Sequence, residues 1–269
     1  IPTAYYKSFS NKDATLEYIK SHPFPLVIKV DGLAAGKGVV IAENLEQANN
    51  SINEIFSGKF GSAGNEIVIE EFLQGEEASF FVISDGKSFI PLTSAQDHKR
   101  IGEGDKGLNT GGMGAYSPAP IMTKDLEKKT IDKIIKPTIQ ALNDYDTPFI
   151  GILYAGLMIK DNEPKLIEYN VRFGDPECQV IIPRLENDLI ELLVNVKEKN
   201  LDNYVLKWKN NFAMTVVLAA KGYPENYQSG DEIIGLENEK NHDDVEIYHA
   251  GTTRKNNSII TSGGRVLNI

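Results

Sequence analysis

At 269 residues the chain exceeds the usual size of a single hydrophobic core, which predicts two or three packed lobes. With 41% hydrophobic and 25% charged residues and no apolar run near the ~20 residues that cross a bilayer, it reads as a globular protein rather than a membrane-spanning one. A net charge of −10 is a poor footprint for nucleic acid, although a phosphorylated small molecule can still occupy a locally basic cleft; the single cysteine, Cys178, excludes an intrachain disulfide framework and a cysteine-rich zinc site and points to a reducing compartment.

In chain order, Ser10 or Asn11 reads as an N-cap for a helix carrying Ala14, Leu16 and Ile19, closed by His22-Pro23-Phe24-Pro25. Leu26 to Val30 reads as a buried strand, Gly32 to Gly38 as a loop and Val39 to Ile41 as a second strand. Asn44 caps a helix with Leu45, Ala48, Ile52 and Ile55, ended by Gly58. A strand follows from Ile67 to Leu73. Ala78 to Ile83 and Phe89 to Thr93 then make a hairpin around Asp85-Gly86. Ile101 to Pro120 is glycine-rich and helix-poor. Thr123 caps a long helix that Pro137 should kink. Gly151 to Lys160 and Lys165 to Asn170 are strands joined by a turn at Asp161-Asn162-Glu163. Helical pattern resumes over Glu177 to Leu185 and Asp188 to Val196, and from about Phe212 the chain is strand-like and turn-rich. Hairpins outnumber strand–helix–strand crossovers, so the class is α+β with mostly antiparallel sheets.

Four segments carry chemistry. Lys29 sits mid-strand among apolar neighbours, where a lone ammonium is costly, and therefore calls for a permanent anionic partner. The loop after it, containing Gly36, Lys37 and Gly38, has small residues that let backbone N–H groups approach phosphate oxygens, although it also fits a flexible hairpin loop with a solvated lysine. It is no Walker loop, because Gly38 stands where Ser or Thr is required. Glu70-Glu71-Phe72-Leu73 ends a strand whose backbone can meet an adenine edge, with Glu77 in reach of ribose hydroxyls; the run fits an acidic hairpin edge equally well.

The segment Asp97-His98-Lys99-Arg100 lies ahead of a glycine-rich run and reads as an anion pocket or as a solvated basic turn. Glu168, Asn170 and Arg172, at alternate positions, are expected to share a strand face and to offer two oxygen ligands for Mg²⁺ and a guanidinium for a polyphosphate in transfer; an ordinary polar surface strand has the same spacing.

Together and in this order, the strings VIKVDGLAAGKG, EEFLQGEEASF, SAQDHKR, NTGGMGAYSPAP and IEYNVRFGDPE resemble the phosphoribosylamine–glycine ligase (glycinamide ribonucleotide synthetase) family of the ATP-grasp superfamily. The resemblance runs from Ile1-Pro2-Thr3-Ala4 to Gly263-Gly264-Arg265-Val266-Leu267. It implies two α+β lobes clasping ATP, at 1–73 and 74–207, then a small β-rich domain at 208–269. The family's N-terminal domain, with a first phosphate-binding lysine, is expected ahead of Ile1, and a short segment after Ile269.

Residue by residue, the resemblance implies that Lys29 and the loop from Gly32 to Gly38 contact ATP phosphates. Glu70, Glu71, Phe72 and Leu73 would hold adenine, and Glu77 the ribose. Glu168 and Asn170 would ligate Mg²⁺ or Mn²⁺, while Gly156-Leu157-Met158 offers no further metal carboxylate. Arg172 and Asp175 would face the transferred phosphoryl group and the amino substrate, and Asp97, Lys99 and Arg100 would line the substrate side. The implied activity is ATP-dependent joining of glycine to 5-phosphoribosylamine through glycyl phosphate, in purine biosynthesis in the cytoplasm. A monomer is expected, in transient contact with the enzyme that supplies the amine. Another ligase or carboxylase of the superfamily would share Lys29, Glu168 and Asn170 without the QDHKR and NTGGMGAYSPAP strings. A non-catalytic nucleotide-binding module would lose the Glu168, Asn170 and Arg172 row.

Overall fold

The computed structural model describes residues 1–34, 38–104, 106–236 and 244–269. The chain divides into two compact units, Pro2–Gly75 and Glu76–Ile269, the latter also taking Ile1.

In the first unit the order is β1 (Tyr6–Phe9), α1 (Lys12–Ile19), β2 (Leu26–Val30), β3 (Val39–Ala42), α2 (Leu45–Glu54) and β4 (Ile67–Glu71). The strands form one antiparallel sheet in the order β1-β4-β2-β3. Both helices start where a side-chain oxygen takes an orphan amide: Asn11 Oδ1 accepts from Ala14 N at 2.9 Å and Asn44 Oδ1 from Gln47 N at 3.0 Å. Period-two alternation then sorts the sheet. Leu26, Ile28, Ile67 and Ile69 pack with Ile19 and Ile52 of the helices, which leaves Val27, Lys29, Val68 and Glu70 on the opposite face. The expected strand to Leu73 stops at Glu71, so Phe72 and Leu73 lie beyond it. Gly36 and Lys37 lie outside the described residues.

The second unit begins with β5 (Glu76–Asp85), β6 (Phe89–Pro91), β7 (Gln96–Asp97), β8 (Arg100–Gly102), β9 (Lys106–Asn109) and β10 (Gly114–Ser117). Next come α3 (Lys124–Thr130), α4 (Lys136–Asp144), β11 (Ile150–Lys160), β12 (Glu163–Asn170), α5 (Cys178–Ile181) and α6 (Leu189–Lys197). Six short strands close the chain: β13 (Ala213–Ala219), β14 (Glu232–Ile233), β15 (Tyr248–His249), β16 (Thr252–Lys255), β17 (Ser258–Thr261) and β18 (Arg265–Asn268). Every strand pair among the described residues is antiparallel, as the α+β reading expects.

The central sheet runs β12-β11-β5-β6, and its two faces bury different partners. Phe80, Val82, Leu153, Ala155 and Leu157 pack on Leu126, Ile134 and Ile139 of the long helical segment. Phe81, Ile83, Ile152 and Tyr154 pack on Val180, Ile181, Leu192 and Val196. A second sheet, β15-β18-β13-β10-β7, carries the terminal strands back to Gln96 and Asp97, with β14-β17-β16 and β8-β9 as smaller ribbons.

Where a bend is expected at Pro137, the helix is interrupted by a π turn, Ile131–Ile135, between α3 and α4. Proline has no N–H to return to the preceding turn, and a widened turn accommodates that loss. Two strands lie in the glycine-rich stretch, β9 and β10, which have no β-branched residues and no apolar alternation to announce them. The helix expected to reach Leu185 is four residues of α5 and a 3₁₀ turn at Ile182–Arg184, because Pro183 interrupts it.

Candidate functional site

In the first unit the partner that Lys29 requires is Glu70. Its Nζ lies 2.7 Å from Glu70 Oε2, with both side chains about one-fifth exposed. The register sets this pair: Lys29 faces Val68 and Val27 faces Glu70, so the two are diagonal neighbours on one sheet face. Gly38 O accepts from Val30 N at 2.9 Å, and a Cβ on Gly38 would lie 2.3 Å from Val30 Cγ2, so the far end of the loop closes only with glycine. Glu70, Glu71 and Phe72 also line a cavity of about 360 Å³ with Tyr18, His22 and Phe24.

In the second unit the sheet face that is apolar at Phe81 and Ile152 turns polar toward its other end. Directly opposed residues of antiparallel strands share a face. Tyr154 opposes Phe81 and Asn170, Gly156 opposes Ser79 and Glu168, and Met158 opposes Glu77. Glu77, Ser79, Glu168 and Asn170 therefore stand on one surface. A bulge arranges this: the register slips between Gly156 and Leu157, leaving Ile167 as an extra residue in β12. Leu166 and Tyr169 both reach the helix-side core, while Glu168 and Asn170 point the other way. Asn170 Nδ2 donates to Glu168 Oε1 at 3.2 Å. Arg172 does not complete the row. β12 ends at Asn170, and Arg172 lies in the bend beyond it, its Nη1 donating to Phe173 O at 2.8 Å.

Asp97 and Lys99 come to this face from β7 and the residues after it. Lys99 Nζ lies 3.0 Å from Glu77 Oε2, so Glu77 is already engaged by a cation. Burial works against the Lys99 ammonium, but Glu77, then Asp97 and Glu168, outweigh it and hold its pKa above the ordinary lysine value. The expected basic pocket is thus one lysine among carboxylates. Arg100 does not add to it: its Nη1 donates to Gly107 O at 2.8 Å, which ties the β8–β9 ribbon.

Asp97 is pushed up to about 7, first by burial and then by the charge of Glu177, with Lys99 opposing. Its Oδ1 is buried and has no hydrogen-bond partner.

Glu177 is a buried carboxylate beside this site to which sequence reasoning gave no role. It is 2% exposed, and its Oε1 accepts from Tyr154 OH at 2.7 Å and from Ser79 Oγ at 2.9 Å. Burial and the Glu177 charge push the Tyr154 hydroxyl pKa upward. Ahead of an apolar helix, such an acid reads as an ordinary N-terminal residue complementing the dipole. Only the pairing of β5 with β11 reveals its partners. Arg265 was missed as well. Its fork meets Asp175, with Nη2 3.0 Å from Oδ2 and Nη1 3.2 Å from Oδ1.

Glu168 and Asn170 offer a carboxylate and an amide oxygen, the hard donors Mg²⁺ and Mn²⁺ take. Among the described residues no group of three His, Cys, Asp or Glu could hold an ion unaided. The pair fits a metal completed by phosphate oxygens and water, since Mg²⁺ is usually bound through only one or two protein ligands.

The family description "Phosphoribosylglycinamide synthetase, ATP-grasp (A) domain" matches residues 1–178, and "Phosphoribosylglycinamide synthetase, C domain" matches residues 213–269. A relative from Brucella melitensis biotype 1 named phosphoribosylamine–glycine ligase is 53% identical over 269 residues, all of this chain and 63% of its own length. The chloroplastic phosphoribosylamine–glycine ligase of Arabidopsis thaliana is 51% identical over 274 residues, covering 100% of this chain and 52% of the relative. The crystal structure of phosphoribosylamine–glycine ligase from Thermotoga maritima superposes with a TM-score of 0.86 at 34% identity, covering 100% of this chain and 66% of that one. The chain therefore spans less than two thirds of the length of these relatives.

Proposed function

Because the chain belongs to the phosphoribosylglycinamide synthetase family, over both its ATP-grasp and C domains, we propose that the full protein joins glycine to 5-phosphoribosylamine while ATP becomes ADP and phosphate. A glycine carboxylate oxygen attacks the γ-phosphorus, the bond to the bridging oxygen of ADP breaks, and glycyl phosphate forms. The amine nitrogen of 5-phosphoribosylamine then attacks the carbonyl carbon, phosphate departs, and the nitrogen loses a proton. Such chemistry needs positioning and charge neutralisation rather than a nucleophilic side chain. The observation that carries the reading is the convergence of Glu77, Lys99, Glu168 and Asn170 on one sheet face.

In this reading Glu168 and Asn170 hold Mg²⁺ or Mn²⁺, which when bound neutralises phosphate oxygens. Lys29 meets phosphate, Glu70 to Leu73 meet adenine, and Glu77 meets ribose once nucleotide competes with Lys99. Arg172 and Asp175 face the transferred group. Asp97, Lys99 and Arg100 line the substrate side, and a carboxyl titrating at about 7 suits Asp97 to take up the amine proton. The division at 1–73, 74–207 and 208–269 belongs to the same reading, supported by a C-domain match that starts at residue 213. So do a monomeric state, transient contact with the amine-supplying enzyme, and a cytoplasmic location, although the Arabidopsis relative is chloroplastic.

The test is ADP release by the full-length protein that depends on both glycine and 5-phosphoribosylamine, with other amino acids as controls. Glu168→Ala or Asn170→Ala should abolish it with the fold kept. Near wild-type release by either variant at low Mg²⁺ would refute the metal assignment.

A further inference from the structure

We propose that Arg265 is a positioning residue, a latch by which the C-terminal β region holds two turns of the substrate side in place against Asp97. Its guanidinium reaches two separate segments at once. Nη1 lies 2.8 Å from Gly111 O and 2.9 Å from Asp175 O, and the fork pairs with both carboxylate oxygens of Asp175, at 3.2 and 3.0 Å. The base of the latch is fixed: Arg265 opposes Ala219 in β13, and its carbonyl accepts from Gly251 N at 2.9 Å. A second grip comes from the same region, where Tyr223 OH accepts from Gly111 N at 2.9 Å.

The two latched segments meet at Asp97. Gly112 has φ +107°, and a Cβ there would lie 2.4 Å from Pro176 Cδ and 2.7 Å from Asp97 Oδ1, so its backbone lies against both. Holding Gly111 and Asp175 therefore fixes the wall behind Asp97 and the turn that leads into Glu177. Lysine cannot do this, since one ammonium on a flexible stem offers no planar fork to bridge two segments.

The test compares Arg265→Ala and Arg265→Lys in the full-length protein by hydrogen exchange and steady-state kinetics. Amides in residues 109–114 and 174–178 should exchange about tenfold faster or more in both variants, with β5 and β11 as protected as before. The kinetic arm rests on the ligase reading above: kcat/KM for glycine and 5-phosphoribosylamine should fall about 100-fold, with KM for ATP within about twofold. Unchanged exchange in the two segments would overturn the latch. Faster exchange throughout β5 and β11 would overturn it too, by showing a residue that merely supports the fold. Wild-type behaviour of Arg265→Lys would show that charge alone suffices, against the fork. A wild-type protein that forms no product would overturn the ligase reading and leave the exchange result to decide the latch.

Discussion

Glu177→Gln removes one charge beside Asp97 while keeping the shape of the side chain. The amide oxygen can still accept from Ser79 and Tyr154, and Gly174, having no Cβ, leaves room for the amide nitrogen where Glu177 Oε2 now sits. A neighbouring like charge in a partly buried site is worth on the order of 1–2 kcal/mol, or about one pKa unit. Asp97, pushed from 3.8 to about 7, should then titrate lower, with burial, the larger cause, holding the remainder of the shift.

The sign follows from linkage. A carboxyl whose folded-state value lies above its unfolded one favours the folded protein while protonated. That contribution is complete below pH 3.8 and is lost as pH rises to about 7. Between pH 5 and pH 8 the wild type should lose about 3 kcal/mol through this group and Glu177→Gln distinctly less. Urea unfolding of both proteins at the two pH values measures the difference, on the order of 1–2 kcal/mol, and titrations common to both cancel. Equal pH dependence in the two proteins would refute a charge coupling between Glu177 and Asp97.

Asp85→Ala should destabilise by about 3 kcal/mol, because a 1% exposed carboxylate accepts from three backbone amides, Lys87 and Ser88 on Oδ1 and Leu201 on Oδ2. Burial alone would raise its pKa, but these bonds outweigh burial and hold it below 3.8, so its contribution is full above that value and lost as pH falls through the folded one. The gap between wild type and variant in urea unfolding should accordingly narrow at pH 3. Gly112→Ala should cost about 2–4 kcal/mol from positive-φ strain and overpacking against Pro176 and Asp97. Gly104→Ala, at φ +70° with nothing within 4 Å, should cost only about 1 kcal/mol in the same denaturation assay.

What the sequence disclosed was mostly local. Asn11, Asn44 and Thr123 cap helices as expected, because a cap is settled within three residues, and Asp188, read as the start of a helix, caps one too. The hairpin at Asp85-Gly86 and the turn at Asp161-Asn162 were legible for the same reason. Partners across the sheet were not. Lys29 demanded an anion, but only the β2–β4 register names Glu70. Strict alternation put Arg172 beside Asn170, but the strand ends first. Arg265 is a lone cation in an apolar strand, and nothing near it in sequence points to Asp175.

The bulge at Ile167 also sets how insertions and deletions in this strand are to be read. With the extra residue in place, Leu166 and Tyr169 share the helix side while Glu168 and Asn170 share the other. Were β12 a regular ladder of the same length, alternation would force Leu166 and Glu168 onto one side, burying a carboxylate or exposing a leucine. A chain one residue shorter at this point would keep both sets on their sides without any bulge. A gap opposite Ile167 in an aligned sequence is therefore compatible with an intact Glu168–Asn170 pair, whereas a gap between Glu168 and Asn170 is not.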